Sequence, residues 1–189
     1  MRLNLGCGNK ILEGYVNVDK FEYYQCNIVH DLEKFPYPFE PDSVDEILLQ
    51  HVLEHIGQDP EVFNGVIKEL YRISKNHALI DITVPHPRHD DFLADPTHVR
   101  PITAFGLSLY DKDKNKVWQE AGVANSPLAL INGVNFKIER VEYFLEDTIS
   151  KRQKNGEISK AELEYMMLHH NNVVKQTNIK KRNFKFHNL

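Results

Sequence analysis

Cysteine is scarce in this chain of 189 residues, with Cys7 and Cys26 the only two. Two thiols at that separation build neither a disulfide framework nor a four-thiolate zinc site, so both read as free thiols in a reducing compartment. Long apolar runs are missing as well. No run approaches the roughly 20 residues that span a bilayer, and Met1 leads straight into Arg2-Leu3-Asn4-Leu5 without a charged-then-apolar leader. The expectation is a cytoplasmic protein with no membrane partner. Internal repeats, low-complexity tracts and Gly/Ser/Pro-rich linkers are also absent, which predicts a single domain over 1–189. A formal net charge of -4 excludes a protein that wraps nucleic acid with its whole surface.

What remains has the make-up of a folded protein, because a hydrophobic share of 41% against 26% charged residues excludes disorder along the whole chain. The charge is uneven. Between Asp31 and Glu61 the only Lys or Arg is Lys34, whereas the stretch from Val173 onward holds Lys175, Lys180, Lys181, Arg182 and Lys185 without an acid. That stretch reads as an edge strand guarded by lysines.

Strand and helix patterns alternate along the chain. Alternating or continuous apolar positions mark strands over Arg2 to Leu5, Tyr15 to Asp19, Cys26 to His30, Val44 to Gln50 and Ala78 to Val84. Between Asp59 and Ile73 the period changes to that of a helix. Asp59 suits the N-cap, Pro60 the first helical position, and Val62, Phe63, Val66, Ile67, Leu70 and Tyr71 form one apolar face. After an irregular segment, 86–133, with Pro87, Pro96, Pro101 and Pro127, strands follow at Phe136 to Leu145 and Val173 to Ile179. Between them Ser159 and Glu162 form a capping box for a helix ending at His169. This order predicts a Rossmann-like, three-layer α/β sandwich around a mainly parallel sheet, with 86–133 as a lid or acceptor-side insertion.

The first chemical signal is Gly6-Cys7-Gly8 at the end of a strand, where glycines let the backbone turn sharply and approach a ligand. Asp19 ends the next strand, where a carboxylate can accept hydrogen bonds from both hydroxyls of a ribose. It follows Gly8 by eleven residues, against about 20 in a dinucleotide fingerprint, and the third glycine is missing. A pyrophosphate cradle is therefore disfavoured.

The run LNLGCGNKILEGYVNVDK, followed by HDLEKFPYPFEPDSVDEILLQHVLEHI, resembles the class I S-adenosylmethionine-dependent methyltransferases, in particular a small branch whose glycine loop leads almost directly into the second strand. The resemblance implies a seven-stranded sheet with an antiparallel last strand and S-adenosylmethionine as cofactor. It places the methionine end of the cofactor at Gly6, Cys7 and Gly8, the ribose at Asp19, the adenine at Asp31 with Leu32, and the reactive sulfonium beside Gln50 and His51. The nucleic-acid amino-methyltransferase signature is absent after the fourth strand, so DNA is not the expected acceptor. A small molecule or a glycan is. The catalytically silent alternative, a cofactor-binding or scaffold domain, belongs to a different class of function.

His51-Val52-Leu53-Glu54-His55 also matches the inverted zinc-peptidase pattern, in which two histidines four apart on a helix bind one metal. That reading would leave the glycine loop and Asp19 unexplained, and no metal is expected. A second polar cluster, His86 to Arg100, follows the fifth strand at the ligand edge of the sheet and contains His86, His89, Asp90, Asp91, Asp95 and His98. If the acceptor must lose a proton, His51, His86 and His98 are the candidate bases.

Overall fold

The computed structural model describes residues 1–185. The strands β1 (Arg2–Leu5), β2 (Val16–Asp19), β3 (Ile28–Val29), β4 (Val44–Gln50), β5 (Ser74–Pro85), β6 (Phe136–Leu145) and β7 (Val174–Asn183) form one sheet in the order β3-β2-β1-β4-β5-β7-β6. β1 to β5 pair in parallel, and β7 runs antiparallel to both neighbours. The fold is therefore Rossmann-like α/β with a mixed, mostly parallel sheet. No helix among the described residues is long and apolar enough to cross a membrane.

Helix α1 (Pro60–Ile73) forms where the sequence pattern places it. The Asp59 carboxylate accepts from the Glu61 N–H at 2.8 Å, and Phe63, Val66, Ile67, Leu70 and Ile73 are buried along one stripe. They pack on Leu3, Leu5, Val18, Ile47, Leu49, Ile80, Ile82 and Ile179, which lie on one face of the sheet. Each such side chain contributes about 1.5–3 kcal/mol by leaving water. α1 passes directly into β5, which starts four residues before the expected Ala78 because Ser74 already pairs with Val44.

Helices are distributed unequally between the two faces. The β1-to-β2 connection has no helix and the β2-to-β3 connection has only a 3-10 turn at Glu22–Tyr24. On this second face Asn4 sits opposite Asn17 and Leu48, Leu48 opposite Asp81, and Asp81 opposite Lys180. The buried side chain of Asn17 accepts from Asn4 Nδ2 and the Leu12 N–H, both at 2.9 Å, and donates to Leu12 O at 3.0 Å. An asparagine pair thus does the covering that a helix would otherwise do.

The segment 86–133 contains α2 (Asp90–Leu93), α3 (Ala104–Ser108), α4 (Lys112–Glu120) and α5 (Leu128–Asn132), mostly too short to show an apolar period. Caps betray some of them: Thr103 Oγ1 accepts from the Gly106 N–H at 2.9 Å, and Asp111 Oδ1 from the N–H groups of Asp113 and Lys114. Ile102, Leu107, Tyr110 and Val134 join the main core. Helix α6 (Asp147–Lys154), which no pattern marks, buries no residue. In α7 (Lys160–His169) the Ser159 hydroxyl accepts from the Glu162 N–H at 3.1 Å, as its capping box predicts.

The basic stretch from Val173 is not an edge. β7 lies between β5 and β6, and two of its cations face acids there: Lys180 Nζ stands 3.3 Å from Asp81 and Arg182 pairs with Glu139, while Lys185 beyond the strand reaches Asp42 at 3.0 Å.

Lys181 points to the other face and is buried, with Nζ donating to Leu107 O at 3.1 Å between the rings of Tyr110 and Phe136. Burial pushes its pKa down from 10.5 to about 7, with the Asp111 carboxylate opposing and Lys114 assisting. Between those two values the unfolded chain carries a proton that the native protein lacks, so stability rises with pH across that window, by at most about 1.4 kcal/mol per pH unit. Below it the full cost of the buried charge is present. Lys181→Met is expected to stabilise the protein at pH 6 by about 1–3 kcal/mol and to flatten the rise between pH 7 and 9. Urea unfolding across that range checks this, and parallel pH profiles for the two proteins would contradict it.

Candidate functional site

The site is built where strands end. After β1 the chain turns at Gly6, whose φ of +66° and whose missing Cβ, which would stand 2.5 Å from Val52 Cγ2, admit only glycine. At Gly8, with φ +52°, a Cβ would project into open space. The Gly8 N–H donates to Asp19 Oδ2 at 2.9 Å and the Phe21 N–H to Asp19 Oδ1 at 3.0 Å. One carboxylate, 7% exposed, therefore ties the loop after β1 to the loop after β2. Each of its oxygens keeps a free acceptor site.

Gly6, Gly8, Asp19, Asp31, Leu32 and His51 all border a cleft of about 470 Å³ at this edge. Phe21, Tyr24, Val52 and Ile56 supply apolar walls, and His55 and Thr97 close the far end. Its volume falls in the usual range for a cofactor site, about 300–1,000 Å³. Two expected residues lie outside the lining. The Cys7 side chain is buried beneath the loop, and that burial, with Asp19 and Cys26 nearby, pushes its thiol up to about 11. The Gln50 amide oxygen accepts from Lys10 Nζ at 2.6 Å.

His51 has φ +55°, so β4 ends in a bend, and residues Leu53–His55 form a 3-10 turn rather than the helix that the zinc-peptidase pattern requires. The two histidines of that pattern turn to different partners. His51 Nδ1 stands 3.3 Å from Glu54 Oε1 and Nε2 3.1 Å from Gln176 Oε1, whereas His55 Nδ1 lies 2.9 Å from Thr97 Oγ1. Glu54 holds the His51 pKa above its ordinary value, with burial opposing.

A second cavity of about 320 Å³ is lined by His51, Pro85, Asp91, His98, Lys175 and Gln176. His51 is thus a wall shared by both cavities. His98 is fixed by a 2.7 Å contact from Nδ1 to Phe92 O. His86 borders neither cavity; its Nδ1 accepts from the Arg88 N–H at 3.2 Å, and burial, with Arg88 and His89 close by, holds its pKa low. Of the expected lid, Thr97 reaches the first cavity and Asp91 and His98 the second. Trp118 packs near Phe105 with ring centroids 6.0 Å apart.

Sequence reasoning meets Glu54 and His55 only as part of the zinc-peptidase pattern, and Thr97 only as part of the polar cluster after the fifth strand. Glu54 is fully buried and its carboxylate accepts no well-aligned hydrogen bond among the described residues. Its backbone oxygen accepts from the N–H groups of Val99 and Arg100, at 2.9 and 3.2 Å, which bolts the His98 loop to the turn after β4. Nothing local in the sequence announces that long-range contact.

No family model and no curated protein sequence matches the chain. Solved structures do. An S-adenosylmethionine-dependent methyltransferase from Archaeoglobus fulgidus is similar with a TM-score of 0.62 and 18% identity, over 96% of this chain and 85% of that one. Another from Methanosarcina mazei gives 0.58 and 12%, over 98% and 92%. The cyclase SpnF gives 0.55 and 11%, over 98% and 75%. With the strand order, the glycine turn and the cleft at the strand ends, these likenesses give the chain the fold of the class I S-adenosylmethionine-dependent methyltransferases.

Proposed function

We propose that the protein transfers a methyl group from S-adenosylmethionine to a small-molecule or glycan acceptor. The observation that carries this reading is the shared wall. Cofactor-type residues from three strand ends converge on one cleft, and His51 separates that cleft from a second, polar cavity of acceptor size. Fold alone does not decide it, since SpnF is named as a cyclase.

The cleft suits the cofactor. The open side of Gly8 leaves room for its methionine end, Asp19 keeps acceptor sites for ribose hydroxyls, and Asp31 with Leu32 offers an acid beside an apolar wall for the adenine. When bound, S-adenosylmethionine supplies an electrophilic methyl, so the protein must align the acceptor and exclude water. In the second cavity Asp91, His98, Lys175 and Gln176 offer hydrogen-bonding groups suited to a hydroxylated molecule. Once the acceptor takes the place of the Gln176 amide oxygen beside Nε2, His51 can take the acceptor's proton there, and the buried Glu54 behind Nδ1 steadies the imidazolium that results.

Two experiments test this. Asp19→Ala is expected to weaken S-adenosylhomocysteine binding by about 1.5–3 kcal/mol in calorimetry, and unchanged affinity in a folded variant would refute the cofactor assignment. His51→Gln is expected to leave that affinity nearly intact while lowering transfer from labelled cofactor to a metabolite and glycan panel by about 10²-fold or more. His86→Ala, outside both cavities, is expected to change neither. If the wild-type protein binds the cofactor but labels nothing, the scaffold reading replaces the enzyme.

A further inference from the structure

Three potential ligands meet at the boundary of the two cavities. Glu54, His55 and His98 each offer a ligand atom, and these atoms lie within 4.8 Å of one another. The tautomers are set for metal binding. Thr97 Oγ1 donates to Asp95 Oδ1 at 2.6 Å, so it accepts from His55 Nδ1–H at 2.9 Å, and His55 Nε2 is left with its lone pair. His98 Nδ1–H donates to Phe92 O at 2.7 Å, which leaves Nε2 in the same state. Ligating histidines are characteristically oriented in this way, with the second nitrogen bonded to a carbonyl or through a hydroxyl to a carboxylate.

Glu54 supplies the independent observation. Its side chain is 1% exposed, its oxygens accept no well-aligned hydrogen bond among the described residues, and its one ion-pair contact, to His51 Nδ1, is at 3.3 Å. A buried carboxylate held so incompletely is costly unless a further cation completes it. The two rings, with centroids 4.6 Å apart and planes at 59°, converge rather than stack. Ligand atoms around a tetrahedral Zn²⁺ stand about 3.4 Å apart, so the cluster needs only a modest contraction on loading.

We propose that Glu54, His55 and His98 hold a divalent transition cation between the cofactor cleft and the second cavity. Two imidazoles and one carboxylate form a set used by zinc and by non-haem iron, and three protein ligands leave positions free. His55 borders the first cavity and His98 the second, so a cation here faces both. The cation site does not rest on the methyltransferase reading. This site departs from the expectation of no metal, which followed from weighing the His51/His55 pair, whose members turn to different partners, and the His86 to Arg100 cluster separately.

Titration of the chelator-treated full-length protein with Zn²⁺ in a calorimeter tests the cation. One equivalent is expected to bind tightly, with affinity falling at least about 100-fold in His55→Ala and in His98→Ala. His55 is exposed, so its variant is the one expected to keep the fold, and an unchanged circular dichroism spectrum and thermal unfolding midpoint in the same samples verify that. The chain has ten histidines, and His169→Ala, outside the cluster, is expected to bind Zn²⁺ as the wild type does. Weak Zn²⁺ binding by the wild type, or tight binding that survives His55→Ala, overturns the site even if the cofactor binds. Loss of cofactor binding with Zn²⁺ bound overturns the methyltransferase reading instead.

Discussion

The first strands of this protein depend on one buried amide. Parallel strands usually need a crossover of about a dozen residues or more, commonly a helix, yet only residues 6–15 separate β1 from β2, and no helix forms there. The backbone of that loop still needs hydrogen-bond partners. Asn17 provides them: its side chain engages Leu12 at both N–H and C=O, Tyr15 O, Asn4 Nδ2 and Asn27 Oδ1. With the loop pinned, Gly6 and Gly8 are held in their left-handed turns and the Asp19 carboxylate stands within reach of the Gly8 N–H.

The same economy shapes the rest of the site. Positive φ at Gly6, Gly8 and His51 ends two adjacent parallel strands in sharp turns and gathers their loops at one edge of the sheet. The turn after β4 then does two things at once. It presents His51 to both cavities, and through the Glu54 carbonyl it fixes the loop that delivers His98. Position at this edge is set by backbone hydrogen bonds more than by side-chain packing, which suits a site whose side chains must stay free to bind.

Much of this was legible because it is local. The strand at Arg2 to Leu5, the N-cap at Asp59 with its apolar stripe, and the capping box at Ser159 each state their conformation within a few residues. The glycines and Asp19 are readable for the same reason. What escaped is either too polar or too distant. Helix α6 has no buried face to create a period, the lysines of β7 look like edge guards until Asp81 and Glu139 are seen opposite them, and a left-handed His51 breaks the helix that HVLEH suggests. The meeting of Glu54 with His98 spans more than forty residues of sequence and follows from two backbone hydrogen bonds that no pattern records.

The place of β7 governs the order in which the protein can assemble. This strand fills the gap between β5 and β6, pairing Leu79 with Arg182 and Phe136 with Asn183. Until it arrives, β5 has an unsatisfied edge and β6 has no sheet to join. During synthesis β1 to β5 with α1 can therefore form early, while β6 must wait for β7 to be made. Contacts of such long sequence separation form slowly, and the waiting edge of β5 is a surface on which another chain could pair. Aggregation during expression should thus track the delay before residues 174–183 emerge, and slower translation of α6 and α7 would lengthen it.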